Sequence, residues 1–212
     1  MIGVSAHGVY VPRARLNKKS IATANSWFDA SLNSIAKGER AICNWDEDTI
    51  TMAVEAAKNC LASSNASEIK SLYLASTTFP FTDRQNSVVV SEALNLQSNI
   101  RTMDIGASQR SATSSLISLL ESGVESDALL VSSEHRRSKA GSRSEMLWGD
   151  AAGALIIGHK NVIAECIGVE TSAVDFVDHY RGEESDFDYD WEERWIRDEG
   201  YLKVIPPVVE KL

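Results

Sequence analysis

The sequence predicts an α/β fold with one sheet layered between helices, and three observations carry that prediction. Segments of strand character alternate with segments of helical periodicity from residue 2 to residue 159. Two of the strand segments, DALLVSSE at 127–134 and GALIIGH at 153–159, are largely unbroken apolar runs, the pattern of central strands covered on both faces. The 212 residues, 43% hydrophobic and 24% charged, fit one large domain or two small ones and can bury a sizeable core.

The elements follow in order. Residues 2–11, IGVSAHGVYV, alternate and are β-branched enough for a strand, which Pro12 closes. A helix is predicted over 47–61: Asp46 can cap it, Glu47 and Asp48 suit its first turn, and Ile50, Ala53, Val54, Ala57 and Leu61 form one apolar stripe. SLYLAST at 71–77 reads as a short strand, NSVVVSEALNL at 86–96 as a helix, IRTMDI at 100–105 as a strand, and 108–121 as a helix ended by Gly123. The basic link 132–148, SSEHRRSKAGSRSEMLW, is too long and polar for a tight turn and is expected on the surface. After Thr171 the chain becomes acidic and aromatic, and a further apolar helix is predicted to start after Pro207. The division expected is 1–172 and 173–212.

Charge and composition exclude several classes of function. The net charge is −9, yet between Asp175 and Gly200 eleven acids stand against three arginines, a local charge of −8, so the remainder is almost neutral. Such a balance argues against a nucleic-acid surface. No apolar run approaches the ~20 residues of a membrane helix, and the start lacks the basic and apolar blocks of a secretory signal. A soluble, cytoplasmic protein is the expectation. Cys43, Cys60 and Cys166 form no CxxC pair, and His7, His135, His159 and His179 are equally scattered, so spacing indicates neither disulfides nor a metal site.

The stretch MDIGASQRSATSSL, 103–116, runs a strand directly into a helix of small side chains. Free N–H groups and the positive dipole end at such a junction depress a thiol's pKa. Ser108 stands there. Its hydroxyl is far too weak an acid for the dipole alone to ionise, so the reading favoured is a hydrogen-bonding cap rather than a nucleophile.

The motifs GERAICNWDEDTITMAVEAAKNCL (38–61), LYLASTTFP (72–80), MDIGASQRSATSSLISLLESG (103–123), ALLVSSEHR (128–136) and WGDAAGALIIG (148–158) resemble the N-terminal half of the thiolase superfamily. The branch they resemble holds hydroxymethylglutaryl-CoA synthase and ketoacyl synthase III, and the acidic 175–201 stretch is similar to the segment at the same place in its bacterial and archaeal members. The resemblance implies a thiolase-like layered fold with a five-stranded mixed sheet between helices, half of the usual two-half fold. It also implies Ser108 at the N-terminus of a central buried helix, and a site departing from the family's. Ser108 stands at the position of the acyl-accepting cysteine, and Thr77 in Ala75-Ser76-Thr77-Thr78 at that of the general-acid glutamate. A threonine hydroxyl cannot replace a carboxylic acid as proton donor at neutral pH. The family's catalytic histidine and its Asn or second His belong to a C-terminal half for which this chain has no residues.

Gln109 and Arg110 bring bulk where the family has small residues. Arg110 can clamp a CoA phosphate or substrate carboxylate, or fill the vacated space and pair with Asp104; the structural role is favoured. Arg136, Arg137, Lys139 and Arg143 have the sign for a CoA phosphate but read first as a solvated loop. GDAAGA at 149–154 reads as small residues for close packing, with Asp150 capping. Trp191 and Trp195, four apart, read as one face of a short helix.

The resemblance thus implies a member of the acyl-CoA/acyl-ACP carbon–carbon condensing (acyltransferase) family, inactive as an isolated chain. A CoA or ACP thioester would be its substrate, and no cofactor or metal is expected. The alternatives are a non-catalytic scaffold for a thiolase and an OB-fold acyl-CoA-binding subunit, or a retro-aldol CoA-ester enzyme without an acyl-enzyme. A homodimer paired through 100–105 is expected, with a separate C-terminal half as a further possible partner and neither nucleic acid nor membrane.

Overall fold

The computed structural model describes residues 1–62 and 64–212, which divide into two compact units: 1–136 with 140–166, and 137–139 with 167–212. The first unit begins with β1 (Gly3–Tyr10), β2 (Ala14–Asn17), α1 (Lys18–Asn25) and β3 (Glu39–Ile42). It continues through α2 (Thr49–Leu61), β4 (Ser71–Ala75), α3 (Asn86–Ala93), β5 (Arg101–Ile105), α4 (Ser111–Ser122) and β6 (Ala128–Glu134). It closes with α5 (Arg143–Leu147), β7 (Ala151–Gly158) and β8 (Ala164–Glu165).

Its main sheet has the order β5-β4-β6-β7-β1-β8, with β4 parallel to both β5 and β6 and with β7, β1 and β8 joined antiparallel. The sheet is mixed, as expected, and carries six strands instead of five because two-residue β8 pairs Ala164 with Val4. The unbroken apolar runs are explained by burial on both sides. Leu129 and Val131 of β6 pack with Met52, Ala53 and Ala57 of α2, while Ala128 and Leu130 pack with Leu119 of α4. Gly8 lets α2 approach the sheet, since a Cβ there would lie 2.3 Å from the Cys60 nitrogen.

Several boundaries differ from the sequence reading. Asp48, rather than Asp46, caps α2: its side chain accepts the Thr51 N–H while the Thr51 hydroxyl accepts the Asp48 N–H, a reciprocal capping box. The β2–β3 hairpin, α1 and the 3₁₀ segment Ala30–Ile35 were not anticipated. They build a small second core of Ile21, Ala22, Leu32 and Met146. Met146 comes from α5, so the basic link is partly inside: a five-residue helix turns Met146 inward and leaves Leu147 and its arginine outward.

The second unit contains β9 (His179–Tyr180), β10 (Tyr189–Asp190), α6 (Glu193–Trp195), a π-helical turn at Ile196–Tyr201 and α7 (Leu202–Val209). Helix α7 starts before the prolines and carries Pro206 and Pro207 inside it, contrary to the predicted start after Pro207. Trp191 precedes α6, and the two tryptophans meet as rings 5.7 Å apart; Trp195 also stacks on Phe176 at 4.6 Å. Among the described residues no helix is long and apolar enough to cross a membrane.

Candidate active site

The parallel strands β4, β5 and β6 end side by side, and the residues that come after them form the candidate site. Register sets this: Ala75 lies opposite Ile105 on one side and Ser132 on the other. The next residues, Ser76-Thr77-Thr78 and Gly106-Ala107-Ser108, therefore emerge at one end of the sheet beside Glu134, and the Ser76 N–H donates to the Ile105 carbonyl at 3.1 Å. A cleft of about 680 Å³ opens there, lined among others by Thr77, Phe79, Phe81, Asp104, Gly106 and Ala107.

Ser108 is not where it was expected. It is exposed, in the turn ahead of α4, and the helix begins at Ser111 with Arg110 as its N-cap. The reason is local: Ala107 adopts φ 62°, a left-handed conformation that turns the chain before the helix can start. Helix α4 is likewise not buried all round; Ser111, Ser115 and Leu119, four apart, are its buried residues. The Ser108 Oγ accepts the Arg110 N–H at 3.1 Å, a capping contact of the turn. The small residues of the helix have a use of their own: Ser111 Oγ donates to the Gly106 carbonyl at 3.1 Å, and Ser115 Oγ to the Ser111 carbonyl at 2.6 Å. Buried hydroxyls thus satisfy themselves on nearby backbone and let the helix lie close to the sheet.

Gln109 and Arg110 are exposed in the same turn. Asp104, the expected partner of Arg110, is taken up elsewhere: its carboxylate accepts the Asn86 N–H at 2.6 Å, the Asn86 side-chain amide at 2.9 Å and the Ser87 N–H at 2.7 Å. Burial opposes its charge, but these donors outweigh that and hold its carboxyl below the ordinary range.

Thr77 is half-buried, and a carboxylate meets it. Glu134 Oε1 accepts the Thr77 N–H at 2.7 Å, and Oε2 accepts the hydroxyls of Thr77 at 3.0 Å and Thr78 at 3.1 Å. Thr78 Oγ1 in turn accepts the His135 N–H at 3.0 Å and contacts Thr49 Oγ1 at 2.9 Å. Sequence reading missed Glu134. The available signal was its place as the last residue of the largely apolar strand β6, which runs parallel to β4 and ends beside the residues that follow Ala75.

Beside this network lie three more groups whose sequence spacing gave no hint of a site. Asp150, 3% exposed, does not cap a helix as expected; its Oδ2 accepts the Cys43 N–H at 2.8 Å, tying β7 to β3. His135 Nδ1 lies 3.1 Å from the same oxygen. The donor atoms of Cys43, His135 and Asp150 all lie within 4.8 Å of one another, an arrangement able to hold a metal ion. Burial disfavours ionised Asp150, but His135 and the Cys43 N–H prevail and lower its pKa; burial and then Asp150 push the Cys43 thiol up to about 12.

A mixed sheet between helices, with parallel strand ends delivering a Gly-Ala-Ser turn to the head of a helix, defines a thiolase-type fold. Solved structures agree. The chain matches "MvaS in complex with 3-hydroxy-3-methylglutaryl coenzyme A" with a TM-score of 0.80 at 22% identity, covering 92% of this chain and 49% of that one. It matches 3-oxoacyl-(acyl carrier protein) synthase III from Pseudomonas aeruginosa PAO1 with a TM-score of 0.63 at 26% identity, covering 74% and 50%. In sequence, the hydroxymethylglutaryl-CoA synthase of Methanocaldococcus jannaschii is 30% identical over 192 residues, 86% of this chain and 55% of that protein. No family model matches. The chain has the thiolase-type fold and is similar in sequence to hydroxymethylglutaryl-CoA synthases, and it spans about half the length of the curated relatives it matches.

Proposed function

We propose that this chain handles an acyl-CoA or acyl-ACP thioester as a member of the condensing-enzyme family, with Ser108 in place of the acyl-accepting cysteine, and that the isolated chain forms no acyl-enzyme. The observation that carries the reading is the state of Ser108, an exposed hydroxyl whose oxygen accepts the Arg110 N–H. A serine becomes a nucleophile only with a base to take its proton. Thr77 at the glutamate position removes the carboxylic acid that would serve proton transfer there. The test is intact mass after incubation with acetyl-CoA. No adduct is expected on the wild-type chain, and one on Ser108 overturns the reading. Ser108→Cys is expected to gain an adduct of one acetyl group if the thioester pocket is intact.

A second reading rests on Glu134. Its carboxylate, held on Thr78 and on Thr77, which lines the cleft, supports base-driven chemistry on a CoA ester, such as a retro-aldol step, with no covalent intermediate. Exchange of the acetyl protons of acetyl-CoA for deuterium would support it, provided that Glu134→Gln abolishes the exchange. A wild-type chain giving no exchange ends it. With neither adduct nor exchange, the scaffold role beside a thiolase and an OB-fold subunit is the reading left, and co-purification of those partners with the tagged chain tests it.

A further inference from the structure

We propose that Cys43, His135 and Asp150 form a binding site for a zinc-class divalent metal ion. The three residues come from separate strand ends: Cys43 follows β3, His135 follows β6 and Asp150 precedes β7. They offer one sulfur, one ring nitrogen and one carboxylate oxygen within 4.8 Å of one another. Tetrahedral zinc, with bonds of about 2.0–2.3 Å, sets its ligand atoms roughly 3.3–3.8 Å apart, so modest side-chain rotation closes the set. The donor types select the metal. Calcium and magnesium take oxygen ligands, whereas a thiolate with an imidazole and a carboxylate suits zinc.

Charge points the same way. Binding transfers the Cys43 thiol proton to solvent and forms a metal–sulfur bond, so thiolate and carboxylate together balance the two positive charges of the ion. Asp150 is 3% exposed, and a carboxylate so buried gains from a cation placed against it. The surroundings already place the ligands. The Cys43 backbone N–H donates to Asp150 Oδ2 at 2.8 Å and the His135 backbone N–H to Thr78 Oγ1 at 3.0 Å, which fix the two main-chain positions and the Asp150 carboxylate. The Met52 sulfur, fully buried, backs the Cys43 thiol at 3.6 Å. The His135 side chain is 41% exposed, which leaves a path of entry and room for a fourth, water or substrate, ligand.

The site is independent of turnover, so metal binding by the purified chain tests it directly. After dialysis against chelator, Co²⁺ serves as the spectroscopic stand-in for zinc. The expected result is one ion per chain, with the intense visible bands of a tetrahedral site and a thiolate-to-cobalt charge-transfer band, all lost on adding Zn²⁺. Zn²⁺ is also expected to raise the melting temperature. Cys43→Ser should abolish the charge-transfer band, and His135→Gln should weaken Zn²⁺ binding at least about tenfold. Should Cys43→Ser fail to fold, His135→Gln carries the test. The proposal falls if no Co²⁺ binds at micromolar concentration, if the bands are the weak ones of an octahedral site, or if charge transfer survives in Cys43→Ser, which would place the ion on Cys60 or Cys166.

Discussion

Asp104 caps a helix it does not belong to. Gln85, at the N-cap of α3, makes no side-chain capping bond, and the carboxylate of Asp104, on β5, accepts from Asn86 and Ser87 instead. Because these donors hold its folded-state pKa below the unfolded value of about 3.9, its contribution is complete above that pH and is lost as pH falls through the folded value. Asp104→Asn is expected to lower stability by about 1–3 kcal/mol at neutral pH. Urea midpoints of the two proteins should converge as pH is taken below about 4; a gap unchanged by pH would refute the assignment. The same residue shows what a sequence conceals. Asp104 and Asn86 meet only because β5 runs beside β4 and α3 packs against both. Glu134 reaches Thr77, and Asp150 reaches Cys43, through strand neighbours equally invisible to spacing. Ser108 and Thr77 could be singled out because a motif names them by position; the groups that meet them could not, because a motif carries no distances.

Helix α2 is the element on which the first unit depends. Its apolar stripe faces the sheet over Gly8, and Met52, Ala53, Ala56, Ala57 and Cys60 are fully buried in that contact. A Cβ on Gly8 would meet backbone atoms of α2 at 2.3 and 2.4 Å, which no side-chain rotation can relieve. Gly8→Ala is therefore expected to cost about 3 kcal/mol or more, read as a lower urea midpoint. Met52→Ala, which leaves a cavity in the same interface, should cost about 2–5 kcal/mol. Equal stability of either variant and the wild type would contradict the packing described. Long periodic elements such as this were legible, and so were the central strands, because burial writes itself into the pattern of apolar residues. The short ones were not. In α5 five residues give too little sequence for a period, and its arginine and glutamate mask Met146. The four-residue strand β2 alternates half-buried with exposed positions, β3 is half-buried after its exposed first residue, and neither leaves an apolar run. Asp46 and Asp48 both fit the start of α2, and only the reciprocal bond with Thr51 chose between them.

For the whole molecule the question is what covers the sheet's open side. β5 is an outer strand of the six, with Met103 51% exposed, whereas β8 ends the other side with two paired residues. Among the described residues β5 pairs with β4 alone, and its outer side is met by a single side-chain bond, from the Gln85 amide to the Thr102 carbonyl at 2.8 Å. A five-residue strand so placed, with an exposed methionine, is a template for pairing, an edge that proteins seldom leave open. Two copies related by a two-fold axis can satisfy it, since each β5 then pairs antiparallel with its mate and the two sheets become one. We propose that arrangement, a homodimer joined through β5. Near the axis each Met103 approaches its counterpart, so Met103→Lys sets like charges against each other and against a desolvated interface. Light scattering at micromolar concentration should give twice the chain mass for the wild type and the chain mass for Met103→Lys. A substitution on the far side, Val9→Lys, at a position 66% exposed on β1, should leave the dimer intact. A monomeric wild type, or a Met103→Lys protein that still dimerises, would exclude pairing through β5.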